Sequence, residues 1–218
     1  FELMKRLGVE LVLKHIPDTR APLESRPEWS VLIEIASGTA GGAEAQIERL
    51  LEVAFDEGLI TDAAIAQNDA QRAAFWRLRE EHSAALKPEG GGWKHDVSVP
   101  ISRIAEFIDE ASAAVERFHP GARISVFGHV GDGGLHFNLV WPPEAGPFDP
   151  AVAEAARATV FRAVVQEYGG SFSAEHGIGR AKVEWTGLGR SSVDLDTMRA
   201  IKTALDPAGL LKPGVLFG

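Results

Sequence analysis

The stretch Gly128-His129-Val130-Gly131-Asp132-Gly133-Gly134-Leu135-His136-Phe137-Asn138 reads as a β-hairpin. Ile124, Val126, Phe127 and Val130 before its centre, and Leu135, Phe137, Leu139 and Val140 after that centre, are apolar, β-rich flanks. Between them lies Asp132-Gly133, and Asp-Gly in such a setting is the strongest short-range hairpin signal. With the turn centred there, His129 stands directly opposite His136, and a four-residue loop from Gly131 to Gly134 keeps that pairing. Directly opposed residues have Cβ atoms about 5 Å apart and project to one face. Asn138, two residues past His136, shares that face. Two imidazoles and a carboxamide thus gather on one side of the ladder, a geometry able to chelate a metal.

By itself, a cross-strand histidine pair is more often hydrogen-bonded core than metal site. Ala174-Glu175-His176-Gly177-Ile178-Gly179 shifts that balance. Its glycines, with Gly170 upstream, permit close backbone approach to a ligand. Glu175 completes a two-histidine, one-carboxylate set with His129 and His136. Such a set suits zinc, manganese or iron and leaves positions open for substrate.

Length and charge narrow the classes. The 218 residues are enough for one large domain, 1–218, with a real core. A net charge of −9 argues against nucleic acid, whose binding rests on Lys and Arg neutralising phosphates. It also requires that an anionic substrate be caught by local positive charge. No apolar run approaches about 18 residues, so no membrane span is expected, and no signal peptide is expected. With no cysteine there are no disulfides, thiolate ligands or iron–sulfur clusters, which fits a cytoplasmic location. A dinucleotide-binding turn is also missing: Gly177-Ile178-Gly179 is too short and runs into Arg180 and Lys182.

Along the chain, Val31 to Ser37 reads as a buried strand. Ala43 to Glu57 carries a helical stripe of Ile47, Leu50, Leu51, Ala54 and Phe55, closed by Gly58. Asn68 or Asp69 caps a helix running to about Leu86, and Lys87 to Gly92 is a loop. Trp93 to Val99 alternates like a strand, and Pro100 opens a helix through Ile104, Ile108, Ala111 and Val115. Prolines punctuate 147–150, Ala151 to Tyr168 is helical, and Ser191 to Leu205 is the last helix. Strands interleaved with helices, with one clear hairpin, predict an α+β domain: a mostly antiparallel sheet with helices packed mainly on one face.

The Gly-His-x-Gly-Asp-Gly-x-x-His-x-Asn and Glu-His-Gly-x-Gly patterns resemble the C-terminal domain of FAD-linked 2-hydroxyacid dehydrogenases and oxidases. They stand nearest the D-2-hydroxyglutarate and D-lactate dehydrogenases. Phe1-Glu2-Leu3-Met4, Val31-Leu32-Ile33-Glu34, Trp76-Arg77-Leu78-Arg79-Glu80, Trp93 to Pro100 and Leu205-Asp206-Pro207 extend the resemblance over nearly the whole chain. Gly134 replaces the family's usual Asn, and Lys212-Pro213-Gly214-Val215 replaces Asn-Pro-Gly-Lys, so no flavin contact is assigned to the tail.

The resemblance implies a ferredoxin-like core, an N-terminal FAD domain outside this chain, and a divalent metal, zinc or manganese, held by His129, His136 and Glu175. It further implies that His176 is the general base, that Asn138 orients a small 2-hydroxy acid, and that Arg79, Ser83 and Lys94 bind substrate carboxylate. Taken alone, Arg79 reads as a solvated helix residue pairing with Glu80 or Glu81, and Lys94 as a strand-edge lysine. The implied partners are the FAD domain and an electron acceptor (electron-transfer flavoprotein, quinone or cytochrome), with a homodimer among the expected assemblies. The competing readings are a stand-alone metal-dependent hydrolase using the same ligands to activate water, and a non-catalytic domain that stabilises a partner.

Overall fold

Alternation of apolar and polar side chains along three strands builds the centre of the molecule. The computed structural model describes residues 1–90, 92–141, 144 and 149–217. Strands β3 (Gly92–Ser98), β4 (Arg123–His129) and β5 (Gly134–Val140) lie side by side, β5 pairing antiparallel with both others. Trp93, Val97, Ile124, Val126, Leu135, Phe137 and Leu139 join one core cluster with α5 (Ile104–Phe118) and α6 (Pro150–Arg162). Those helices contribute Phe107, Ile108, Ala111 and Val115, and Ala156, Val160 and Phe161. Phe107, Phe137 and Phe161 are sealed from solvent. Burial of each such side chain contributes about 1.5–3 kcal/mol.

The succession β3-α5-β4-β5-α6 is that of a ferredoxin-like unit. Its last strand is reduced to one antiparallel bridge between Ser98 and Ser171, with N–H···O distances of 2.8 and 2.9 Å. Gly170 makes this contact possible, because a Cβ there would lie 2.0 Å from the Ser98 carbonyl oxygen. Strand β1 (Glu2–Lys5) adds at the β4 edge and β2 (Trp29–Leu32) adds to β1. The order is therefore β2-β1-β4-β5-β3, antiparallel throughout. The expected α+β, antiparallel architecture is the one observed.

The expected helical layer is α5 and α6. A second, smaller layer covers part of the opposite face: α1 (Arg6–His15), α3 (Asp69–Glu80) and α4 (His82–Ala85) pack Leu11, Val12, Leu78 and Ala85 with Phe127 and Val140. It is anchored at one end by Glu89, whose buried carboxylate accepts from Lys14 (2.6 Å), His15 (2.5 Å) and Arg123 (2.7 Å). Those hydrogen bonds hold its pKa down at about 2, that from Lys14 most of all.

Some elements differ from their expected form. The helix expected to reach Leu86 breaks at Glu81 into α3, capped by Asn68, and the short α4. The strand expected at Val31 to Ser37 is instead the edge strand Trp29–Leu32, with Val31 44% exposed, because only β1 pairs with it. The helix after Pro150 changes to a π turn over Ala163–Glu167. Helices α2 (Gly42–Asp56) and α7 (Ser192–Leu205) form where expected, yet neither buries a residue. Residues 147 and 148 of the proline-punctuated break lie outside the described residues. Among the described residues, no helix is long and apolar enough to cross a membrane.

Candidate metal and substrate site

The hairpin closes in a different register from the one its sequence suggests. His129 pairs with Gly134, and His136 pairs with Phe127. The loop is therefore Val130 to Gly133, one position earlier than a turn centred on Asp132-Gly133 allows. Gly133 decides this. It adopts φ +82°, donates its N–H to the Val130 carbonyl (3.3 Å), and accepts at its own carbonyl from Val99 N–H (3.1 Å). Asp132 Oδ1 then accepts from the Gly134 N–H at 2.8 Å. Because the side-chain period of a strand is two, both histidines keep the same face, as diagonal neighbours rather than an opposed pair.

Three rows of side chains cross that face from β4 through β5 to β3: Ser125, Asn138, Lys94; then Phe127, His136, Asp96; then His129, Gly134, Ser98. Helices α1, α3 and α4 pack over the Phe127 side. Toward the hairpin turn the face opens into a cavity of about 210 Å³, lined by His129, His136, Asp96, Ser98, Asp132 and Glu175 among others.

The segment after the degenerate last strand delivers Glu175 to this cavity, with His176 beside it. Asp96 receives them. Its carbonyl accepts from Ala174 N–H (3.3 Å), and its carboxylate from the N–H groups of Glu175 (3.3 Å) and His176 (3.0 Å). Lys182 Nζ lies 3.6 Å from the same carboxylate. Burial lowers the Lys182 pKa, and Asp96 opposes that shift. Glu175 Oε1 is 2.9 Å from His136 Nε2 and 3.7 Å from His176 Nε2. Asp96, His136, Glu175 and His176 each offer a ligand atom, all within 4.8 Å of one another. Imidazole nitrogens with carboxylate oxygens form a donor set that fits zinc or manganese. Burial lowers the His136 pKa, against the raising pull of Glu175 and Asp96, which favours the neutral imidazole that metal binding needs.

The residues singled out in the sequence are placed as follows. His136, Glu175 and His176 converge. His129 lines the same cavity but lies outside the four-residue group; its Nδ1 donates to Glu2 Oε1 at 2.7 Å. Arg79 is buried rather than solvated, donating from Nε to Glu2 Oε2 at 2.8 Å, with its guanidinium 5.0 Å from the Phe127 ring centre. Asn138 is 2% exposed and its Oδ1 has no partner within the protein. Lys94 is exposed at the β3 end of that row, and Ser83 is half-buried on α4. Sequence reading missed Asp96 and Glu2. Asp96 carried a signal, since strand alternation puts it on the Lys94 face. Glu2 carried none, because its role depends on the pairing of β1 with β4.

The chain matches the family model described as "FAD linked oxidases, C-terminal domain" over residues 1–216. It is 36% identical over 217 residues to a D-2-hydroxyglutarate dehydrogenase of Xanthomonas citri pv. viticola, covering 100% of this chain and 45% of that protein. It is 34% identical to the D-2-hydroxyglutarate dehydrogenase of Stutzerimonas stutzeri, covering 92% of this chain and 43% of that protein. The chain thus spans less than half the length of these relatives. Among solved structures, a 4-ethylphenol oxidase from Gulosibacter chungangensis, described as an isoeugenol complex, shares the fold. Its TM-score is 0.55 at 17% identity, over 99% of this chain and 47% of that one.

Proposed function

The chain belongs to the family of FAD-linked oxidase C-terminal domains, and from that premise we propose that residues 1–218 are the substrate- and metal-binding domain of an FAD-dependent D-2-hydroxyacid dehydrogenase. On this reading it works with an N-terminal FAD domain and oxidises a D-2-hydroxy acid, D-2-hydroxyglutarate in preference to D-lactate, to the 2-oxo acid. The observation that carries it is the convergence of His136, Glu175 and His176 with Asp96, ligand atoms all within 4.8 Å of one another, beside a cavity that His136 and Glu175 line. Electrons leave to an electron-transfer flavoprotein, a quinone or a cytochrome. The lack of cysteine supports a cytoplasmic location.

Oxidising a 2-hydroxy acid moves a proton off oxygen and a hydride off carbon. His129, His136 and Glu175 would hold the divalent metal, whose Lewis acidity lowers the pKa of a bound hydroxyl. The flavin supplies the hydride acceptor. His176, 65% exposed and with Nε2 3.7 Å from Glu175 Oε1, takes the hydroxyl proton on its imidazole. Asn138, whose buried Oδ1 has no partner within the protein, would orient the substrate. Lys94 supplies positive charge that the net −9 of the chain denies an incoming dianion, Arg79, ion-paired with Glu2, offers guanidinium N–H donors, and Ser83 adds a hydroxyl.

The test is a substrate screen of the full-length protein with an artificial electron acceptor, alongside metal analysis of His136→Ala. The expected outcome is turnover of D-2-hydroxyglutarate with the highest kcat/KM, no turnover of the L-isomer, and loss of stoichiometric metal in the variant. Absence of turnover with every 2-hydroxy acid would sink the reading, and unchanged metal content in His136→Ala would remove the metal from it.

A further inference from the structure

We propose that Glu2 is a positioning residue: one buried carboxylate that orients His129 toward the cavity and ties it to Arg79. The inference rests on the reading of His129 as a metal ligand and Arg79 as a substrate-binding group.

Glu2 lies directly opposite His129 in the β1–β4 ladder and is 5% exposed. Its oxygens are divided between two partners, Oε1 accepting from His129 Nδ1 at 2.7 Å and Oε2 from Arg79 Nε at 2.8 Å. A carboxylate can only accept, so the His129 proton sits on Nδ1 and the lone pair on Nε2. Nε2 is then the free ligand atom of a histidine that lines the cavity with His136 and Glu175. Carboxylate support of this kind orients a ligating imidazole and raises its basicity. On the other side, the Nε contact fixes the Arg79 guanidinium, which also lies 5.0 Å from the Phe127 ring centre. The Arg79 charge also balances that of Glu2 where an unpaired buried charge would be costly.

The experiment measures Mn²⁺ affinity of the full-length protein by equilibrium dialysis, for native protein and for Glu2→Gln, His129→Ala and Met4→Ala. Gln keeps the shape of Glu2 but offers one accepting oxygen in place of two. Glu2→Gln should weaken Mn²⁺ binding about ten- to a hundredfold. Met4→Ala trims another buried side chain of β1 and should leave affinity near native. The double variant Glu2→Gln, Arg79→Met removes both charges together and should show the same loss, which keeps the test available if the single variant does not fold. Native affinity in Glu2→Gln, with loss in His129→Ala, overturns the role of Glu2 alone. An equal loss in Met4→Ala overturns it too, since Glu2 would then matter only for holding β1. Native affinity in His129→Ala overturns the ligand reading on which the inference stands.

Discussion

At the scale of single residues, the site divides into an end where His136, Glu175, His176 and Asp96 cluster and an inner row where Lys94 faces Asn138. If the clustered end takes the 2-hydroxyl and 1-carboxylate of the substrate, Lys94 and Arg79 are left for a second carboxylate. A hydrogen bond to a charged group contributes on the order of 1.5–3 kcal/mol. Lys94→Met should therefore lower kcat/KM for D-2-hydroxyglutarate about ten- to a hundredfold while sparing D-lactate. Steady-state kinetics of the full-length protein on both substrates check this. Equal losses would mean that Lys94 holds the shared 1-carboxylate, and no loss on either would leave it a strand-edge lysine. His136, Glu175 and His176 of the clustered end stood out in the sequence through their glycine-flanked motifs, whereas Asp96 did not. The environment of Arg79 was not, since a run of charges on a helix looks the same whether it faces water or a buried Glu2.

At the scale of elements, the β4–β5 hairpin is set by its loop more than by its strands. A Cβ on Gly133 would lie 2.1 Å from the Val99 carbonyl oxygen, at a φ of +82°. Gly131, two positions earlier, has open space around its Cβ position. Gly133→Ala should therefore destabilise the fold by more than about 1 kcal/mol. Gly131→Ala should stay within roughly 0.5 kcal/mol of the parent. Urea unfolding of both variants measures the contrast, and equal midpoints would show that Val99 does not pin the loop. Hairpin existence was readable from Asp132-Gly133 and its flanks. Its register was not, because the deciding partner, Val99, lies just past the end of another strand.

Over the whole molecule, acid sensitivity should be concentrated in two buried histidines. His82 and His95 are each 1% exposed, and burial lowers both pKa values to about 4. Each donates from Nδ1 to a carbonyl, His82 to Leu78 and His95 to Phe137, which leaves Nε2 bare in the neutral ring. Between pH 4 and the ordinary 6.5, the unfolded chain binds protons that the folded chain refuses. Stability from these groups is thus full above about 6.5 and is lost as pH falls toward 4, on the order of 3 kcal/mol for each histidine. Glu89, held at about 2, extends the loss below the usual carboxylate range. His95→Leu should reduce the slope of unfolding free energy by about one proton, roughly 1.4 kcal/mol per pH unit, between those limits. An unchanged slope in urea titrations across that range would show that His95 is accessible to protons in the folded state.

What the sequence alone determined was most of the elements, their antiparallel α+β class and the histidine and glutamate motifs that meet at His136, Glu175 and His176, because turn chemistry and periodicity act over a few residues. Tertiary structure decided which amphipathic stripes found cover: that of α5 did, whereas α2 and α7 leave Leu50 42% and Leu205 76% exposed. It also decided that Ser98, Val99 and Asp96 dock the last strand, the hairpin loop and the Glu175–His176 turn, and that Glu2 meets His129 and Arg79. These contacts join positions far apart along the chain. They are set by packing and by the need to satisfy buried polar groups, neither of which leaves a local trace in sequence.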